Sequence, residues 1–170
     1  DTYRHSSANG GSTGTWDFYA ETLGGSVQTN PNHVSGTPFY EMFHIEDHAS
    51  LFDLPDPWGK NEEYYYWENG YLDNNNTVIL EVESTVGPNG QVNSYDAQRP
   101  VSWYKKLASG SRVFYTSMGH AQSNFVADTL FQKHIEQALH WCVQTLTADG
   151  LELDSPLPFE IFPNPVLHTF

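Results

Sequence analysis

Apolar residues in the last third of the chain recur at the spacing of an α-helix. Five of them follow one another at i, i+4, i+7, i+8 and i+11: Phe131, Ile135, Ala138, Leu139 and Cys142. Polar residues occupy most positions between them, so one face of the helix is apolar and the other polar. The pattern predicts a helix from about Asp128 to Leu146. A shorter helix is expected from Trp16 towards Leu23, before a pair of glycines.

Aromatic and apolar runs predict strands before the long helix. The predicted strands are Phe39–Ile45, Glu63–Trp67, Thr77–Val82, Pro100–Lys106 and Arg112–Ser117. Thr77–Val82 is a nearly unbroken apolar run, which is typical of a strand buried on both faces in a parallel sheet. Pro55, Pro57 and Gly59 predict irregular chain. The final order of strand, loop and helix indicates an α/β domain.

Composition narrows the class of partner. The chain has 170 residues, the length of one ordinary domain, and a formal net charge of -14. Such a charge repels phosphate backbones and anionic lipid, so nucleic acid is not an expected partner. The apolar runs fall short of the ~18–20 residues needed to cross a bilayer, so no transmembrane segment is expected. The one cysteine, Cys142, is expected to be a core thiol.

Three polar groups fall at or just past predicted strand ends: His48, the pair Glu62-Glu63, and His120. Ligands of open α/β sheets bind at the carboxyl ends of the strands, so we expect these groups to converge. A carboxylate beside a neutral imidazole can share a proton, and the same pair suits a divalent metal. Gly119, which has no side chain, would let a ligand approach closely. The alternatives are a loop histidine at His48 and a turn-fixing histidine at His120.

Aromatic residues beside the glutamates offer a surface for a sugar. Tyr65 and Trp67 lie in the run Tyr64–Trp67, and aromatic rings suit the apolar faces of pyranoses. Alternation along a strand makes at least half of the run core residues instead. Arg112 begins its strand, at the opposite end from His120, and a structural ion pair is expected there.

Several motifs in order carry a family resemblance. They are Asp47-His48, Trp58, Glu62-Glu-Tyr-Tyr-Tyr-Trp67, Val78-Ile-Leu80, Arg99-Pro-Val-Ser-Trp103, Gly110-Ser-Arg-Val-Phe-Tyr-Thr-Ser-Met-Gly-His120 and Leu139-His-Trp141. The chain resembles the ThuA-like family, named for trehalose utilisation, over about residues 1–145. The resemblance implies a flavodoxin-like, class I glutamine-amidotransferase-like three-layer α/β sandwich. The family pattern begins several strands earlier, so this fold is expected to be incomplete at its N-terminus.

The sequence departs from the family pattern at four positions. Glu62 stands where the family usually has Asp, Ala49 where it has Pro, and Arg99 where it has His. Asn30 lies near the position of a further His-Pro pair. The resemblance implies that an amidotransferase nucleophile would lie upstream of Asp1, so a sugar-linked amidohydrolase depends on that segment.

The tail has a second resemblance. Residues 148–158 predict a linker after a ThuA-like domain at 1–147, and Phe159–Val166 resembles the start of the C-terminal sorting domain of type IX secretion substrates from Bacteroidetes. This implies an exported, secreted or cell-surface protein that is part of a larger multidomain chain. The alternative is a proline-rich linker with no targeting role.

Together these features predict a secreted domain that acts on a small-molecule carbohydrate, trehalose or a related sugar, as a metal-assisted hydrolase. The alternative is a non-catalytic module that binds glycans or helps a larger enzyme assemble. The catalytic candidates are His120, Glu63 and His48. The substrate-binding candidates are Glu62, Tyr65, Trp67 and Gly119. The sequence does not decide whether the domain binds a divalent metal as a cofactor.

Overall fold

A computed structural model describes residues 17–68 and 75–144. Its strands are β1 (Phe39–His44), β2 (Trp58–Asn61), β3 (Thr77–Val82), β4 (Arg99–Lys106) and β5 (Arg112–Thr116). Its helices are α1 (Asp17–Leu23), α2 (Gln122–Val126) and α3 (Thr129–Val143). Two short 3-10 turns lie at Ala49–Leu51 and Ser94–Asp96. The predicted linker and sorting segment lie outside the described residues.

The five strands form one sheet in the order β2-β1-β3-β4-β5, and every neighbouring pair is antiparallel. The mixed α/β class is confirmed. The parallel sheet of a flavodoxin-like sandwich is not found in the part that the structure describes. The apolar run of β3 correctly predicted burial, since Ile79 and Leu80 are fully buried. It carried no information on direction, because an antiparallel strand covered on both faces is equally apolar.

Four of the predicted strands are confirmed, with small shifts at their ends. The strand predicted at Glu63–Trp67 is wrong as a regular strand, because this segment forms only isolated bridges, Val27 with Trp67 and His33 with Tyr65. β2 was missed: it has four residues, includes Gly59, and follows two prolines. β2 nevertheless pairs with β1 along its whole length and leads directly into the two glutamates.

Helix α3 begins where the apolar spacing predicted. The Asp128 side chain caps it by accepting a hydrogen bond of 3.0 Å from the Phe131 N–H. Phe131, His134 and Ala138 are its buried residues, and the helix packs on β5 and on the turn Ala49–Leu51. Among residues 17–68 and 75–144, no helix is long and apolar enough to cross a membrane.

Candidate functional site

A carboxylate held between two imidazoles lies at the centre of the site. Glu63 Oε1 lies 3.1 Å from Nε2 of His33, and Glu63 Oε2 lies 3.1 Å from Nδ1 of His120. The Tyr65 hydroxyl donates a hydrogen bond to the same Oε2 atom. We call His33, Glu63, Tyr65 and His120 the site cluster. The sequence prediction that Glu63 and His120 lie together is thus met by the geometry.

The hydrogen bonds indicate where the protons lie. An ionised carboxylate can only accept, so the Nδ1 of His120 that faces it carries a hydrogen. In neutral His120 the proton is therefore on Nδ1, and the other ring nitrogen is in its acceptor form. The Asn32 side chain lies 2.7 Å from Nδ1 of His33 and orients that ring from its other side. The contact with Glu63 thus sets which tautomer neutral His120 adopts.

The site cluster is open to solvent mainly at its histidines. The side chains of His33 and His120 are 29% and 44% exposed, whereas that of Glu63 is 16% exposed. A ligand from solution would therefore meet the imidazole of His120 before it meets the carboxylate. Partial shielding of Glu63 also strengthens its hydrogen bonds, because water screens them less.

Backbone pairing brings His33 to the glutamates. The Val34 N–H donates to the Tyr64 carbonyl and the Tyr66 N–H donates to the Asn32 carbonyl, both at 2.9 Å. His33 thereby lies opposite Tyr65, with ring centroids 5.9 Å apart. Two short extended segments, distant in sequence, place one imidazole beside Glu63.

Arg99 holds the backbone of the segment that follows Glu63. Its Nε donates a 2.8 Å hydrogen bond to the Tyr65 carbonyl, and its guanidinium lies 4.6 Å from the ring centroid of Tyr66. Arg99 is almost fully buried, and this burial lowers its pKa from 12.5 to about 10. The residue that departs from the family pattern here is a structural support of the segment that carries Glu63.

Glu62 has a different task from its neighbour. Its side chain is 1% exposed, and its carboxylate accepts hydrogen bonds from the backbone N–H groups of Gly119 at 3.0 Å and His120 at 3.2 Å. It also accepts from the Asn124 side chain at 2.8 Å and from the Glu63 N–H at 3.1 Å. Glu62 was expected to bind substrate; the structure places it inside the protein, where it fixes the turn that carries His120.

Lys60 balances the buried charge of Glu62. Its Nζ lies 4.0 Å from the Glu62 carboxylate, donates to Asn124 Oδ1 at 2.6 Å and forms an ion pair with Asp128. Burial by itself would raise the pKa of Asp128, but hydrogen bonds from Lys60 and the Phe131 N–H outweigh it and lower that pKa. These contacts of Lys60 thus connect β2 with α2 and with the start of α3.

Gly119 is required by its backbone and by its neighbours. Its φ is +107°, a conformation that side chains with a Cβ rarely adopt. A Cβ at this position would lie 3.1 Å from the Phe125 ring and 3.2 Å from the Phe131 ring. The space that was expected to admit a ligand is therefore taken by two aromatic rings of the protein.

His48 lies apart from the site cluster, in what we call the aromatic cluster. Its ring stacks on Tyr104 and Phe114, with centroid distances of 4.8 and 5.8 Å, and meets Trp141 edge-on at 4.7 Å. Its Nδ1 accepts from the Ser50 N–H at 3.2 Å. Burial, and secondarily the charge of Arg112, lower the pKa of His48 from 6.5 to about 4. The structure does not bring His48 to Glu63 and His120, because it serves as a packed cap of a 3-10 turn.

The two aromatic candidates for sugar binding make contacts within the protein. Tyr65 is 8% exposed and is engaged with Glu63. The Trp67 indole N–H donates to the Pro100 carbonyl at 2.8 Å, and its ring packs edge-on against Trp103 at 5.0 Å. Tyr65 is buried, and Trp67 is half-buried with its indole N–H already engaged.

Among residues 17–68 and 75–144, Arg112 does not form the ion pair that the sequence suggested. Its guanidinium donates to the Trp141 carbonyl and lies 5.0 Å from the centroid of that indole. The basic group thus stabilises the last turn of α3, where carbonyl groups lack helical partners. Burial raises the pKa of Cys142, which agrees with a packed thiol on α3 and not with a nucleophile.

His33 is the site residue that the sequence did not reveal. It lies 30 residues before Glu63, in a loop of polar residues, prolines and glycines with no regular periodicity. The one available signal was its position just after Asn30-Pro31, near where the resemblance places a further His-Pro pair. Nothing local in the sequence shows that this loop pairs with the segment after β2.

The sequence leaves open whether a divalent metal is a cofactor. Among residues 17–68 and 75–144, no group of three or more His, Cys, Asp and Glu side chains is arranged to hold a metal ion. In the site cluster the imidazole nitrogens point at the carboxylate oxygens, which is a hydrogen-bonding arrangement.

Comparison with known proteins gives one match. A family model described as ThuA, trehalose utilisation, matches residues 4–142. This range includes all four members of the site cluster. No curated protein and no solved structure matches the chain.

Proposed function

This chain belongs to the ThuA family, described as trehalose utilisation, and on that premise we propose that its site cluster performs an acid–base step on trehalose or a related sugar. The observation that carries the proposal is the contact of Glu63 with both imidazoles, each at 3.1 Å. An exposed imidazole oriented by a shielded carboxylate is the arrangement in which a histidine exchanges protons efficiently.

His120 is the proposed proton-transfer residue. Glu63 accepts from its Nδ1, so the second ring nitrogen takes a proton from a sugar hydroxyl or from water and returns it to the product. When this nitrogen gains a proton, the ring becomes positive, and the adjacent carboxylate stabilises that charge. Glu63 is thus proposed to orient and stabilise His120 without itself contacting the sugar.

His33 and Tyr65 complete the environment of the carboxylate. His33 binds the Oε1 atom, and Tyr65 shares the Oε2 atom with His120. Their hydrogen bonds hold the carboxylate plane in one orientation, so that Oε2 stays directed at His120. Because His33 is also partly exposed, we propose that it contributes a second polar contact to the bound sugar.

The proposal is tested by replacing Glu63. Glu63→Gln keeps the size of the side chain but removes the charge that stabilises the imidazolium, and His120→Ala removes the proton-transfer group. We expect either change to lower the rate of sugar conversion by about 10²–10⁴-fold. Proton NMR follows the conversion of trehalose, of glucosides in which one hydroxyl is oxidised, and of glucosides that lack one hydroxyl. Each reaction is run with and without a metal chelator.

Glu136→Gln is the matched control, because Glu136 is exposed on α3 and makes the same chemical change. It should retain the full rate. Full activity of Glu63→Gln and His120→Ala would contradict the proposed acid–base step. Sugar binding by the unaltered protein without conversion of any sugar would favour the non-catalytic glycan-binding module instead.

A further inference from the structure

Three phenylalanines among the described residues have most of their surface exposed. Phe39 is 60% exposed, Phe52 is 68% exposed and Phe125 is 56% exposed. Phe39 covers Gly59 on β2, and Phe52 lies 5.9 Å from the ammonium of Lys133. Phe125 instead lies against Gly119, the residue directly before His120. This position makes it the exposed aromatic ring to examine for a role at the site.

Phe125 is held in place although it faces solvent. Its ring meets the buried Phe131 ring edge-on, with centroids 5.2 Å apart at 88°. Its carbonyl accepts a 2.9 Å hydrogen bond from the Gln132 side chain. The preceding residue, Asn124, binds the Glu62 carboxylate. α2 is therefore fixed at both its inner and outer sides, and the Phe125 ring has little freedom to fold inwards.

Exposing a fixed aromatic ring is unfavourable in water, because its apolar surface stays hydrated. Val126 beside it is also 61% exposed, so the apolar surface continues along α2. An apolar patch next to polar, proton-transferring groups matches the two sides of a sugar ring, whose faces carry C–H groups and whose rim carries hydroxyls. The aromatic rings suggested by the sequence, Tyr65 and Trp67, make hydrogen bonds within the protein.

We propose that Phe125 is the stacking surface for the apolar face of a pyranose, which presents its hydroxyl groups to His120. The inference rests on the proposed function and identifies how that site recognises a carbohydrate. Phe125 touches Gly119, the residue that directly precedes His120, so the exposed ring lies on the chain segment that carries the imidazole. Its role is in binding, whereas proton transfer belongs to His120.

The experiment measures sugar binding in the full chain carrying Glu63→Gln, which separates binding from turnover. Trehalose and glucose are titrated in calorimetry or ligand-observed NMR. Phe125→Ala should weaken the affinity for these sugars roughly tenfold or more, and Phe125→Trp should preserve or strengthen it. Phe52→Ala, which removes an even more exposed ring elsewhere, should leave the affinity unchanged.

The outcomes separate this inference from the proposed function. If Phe125→Ala binds trehalose and glucose as tightly as its parent, or if Phe52→Ala weakens binding equally, the stacking role is overturned while the acid–base site stands. If the parent chain binds neither sugar and the unaltered protein converts none, the proposed function and the stacking role both fail. Urea unfolding of Phe125→Ala checks that the fold is intact.

Discussion

The site cluster and the aromatic cluster both contain a histidine, but His120 and His48 differ in solvent exposure and in the groups that they contact. In the site cluster, His120 is 44% exposed and bonded to a carboxylate. In the aromatic cluster, His48 is half-buried and packs against three rings, and its pKa falls to about 4 because burial disfavours the charged form. An imidazole with a carboxylate partner can change its charge during a reaction. An imidazole surrounded by rings behaves as an aromatic core residue.

We expect the largest effect on stability from Glu62, which holds the turn that carries His120. Glu62→Ala would leave the buried N–H groups of Gly119 and His120, and the charge of Lys60, without their carboxylate. We expect the free energy of unfolding to fall by about 3–5 kcal/mol. Glu63→Ala, at a partly exposed position, should cost about 1 kcal/mol or less. Urea denaturation measures both, and equal losses would contradict the division of roles between the two glutamates.

The two histidines should differ in the same measurement. His48→Ala removes a ring packed against three others, and we expect it to lower the free energy of unfolding by about 2–4 kcal/mol. His120→Ala should change it by only about 0.5 kcal/mol. His48→Phe is the control, because it restores the stacking surface while losing the hydrogen bond to Ser50. A larger loss for His120→Ala than for His48→Ala would reverse the comparison.

A smaller effect is expected on the pH dependence of stability. Burial lowers the pKa of His48 and of His134 from 6.5 to about 4. Between these values the unfolded chain binds protons that the folded chain does not, so the free energy of unfolding decreases as the pH falls from about 6.5 to about 4. The slope is at most about 1.4 kcal/mol per pH unit for each histidine. Chemical unfolding at several pH values measures it, and His48→Phe should make it shallower; an unchanged slope would contradict this assignment.

Elements with a strong local pattern could be predicted from the sequence. The spacing of apolar residues located α3, and the runs of β-forming residues located β1, β3, β4 and β5. β2 was missed because four residues with a glycine carry no pattern of their own; β2 is defined by its pairing with β1. Strand direction was missed for a related reason, since burial on both faces is compatible with either direction.

The candidate site could be predicted in part. Glu63 was found because it lies within a motif, and His120 because it ends a motif that contains a correctly predicted strand. His33 and Phe125 were not, since their contacts depend on loops that meet residues distant in sequence. His48 carried a signal as strong as that of His120, and only the three rings around it distinguish the two. The local sequence pattern thus indicates which residues are candidates for the site. The packing around each residue decides which candidates lie together there.

The adjacency of Glu62 and Glu63 restricts how this segment can vary in length. In extended chain, successive side chains point in opposite directions, so one glutamate faces the interior and the next faces the imidazoles. Insertion of one residue directly before Glu62, or deletion of Asn61, would exchange the directions of the two side chains. A change of one residue in the length of this segment would therefore remove the interior anchor and the histidine partner together.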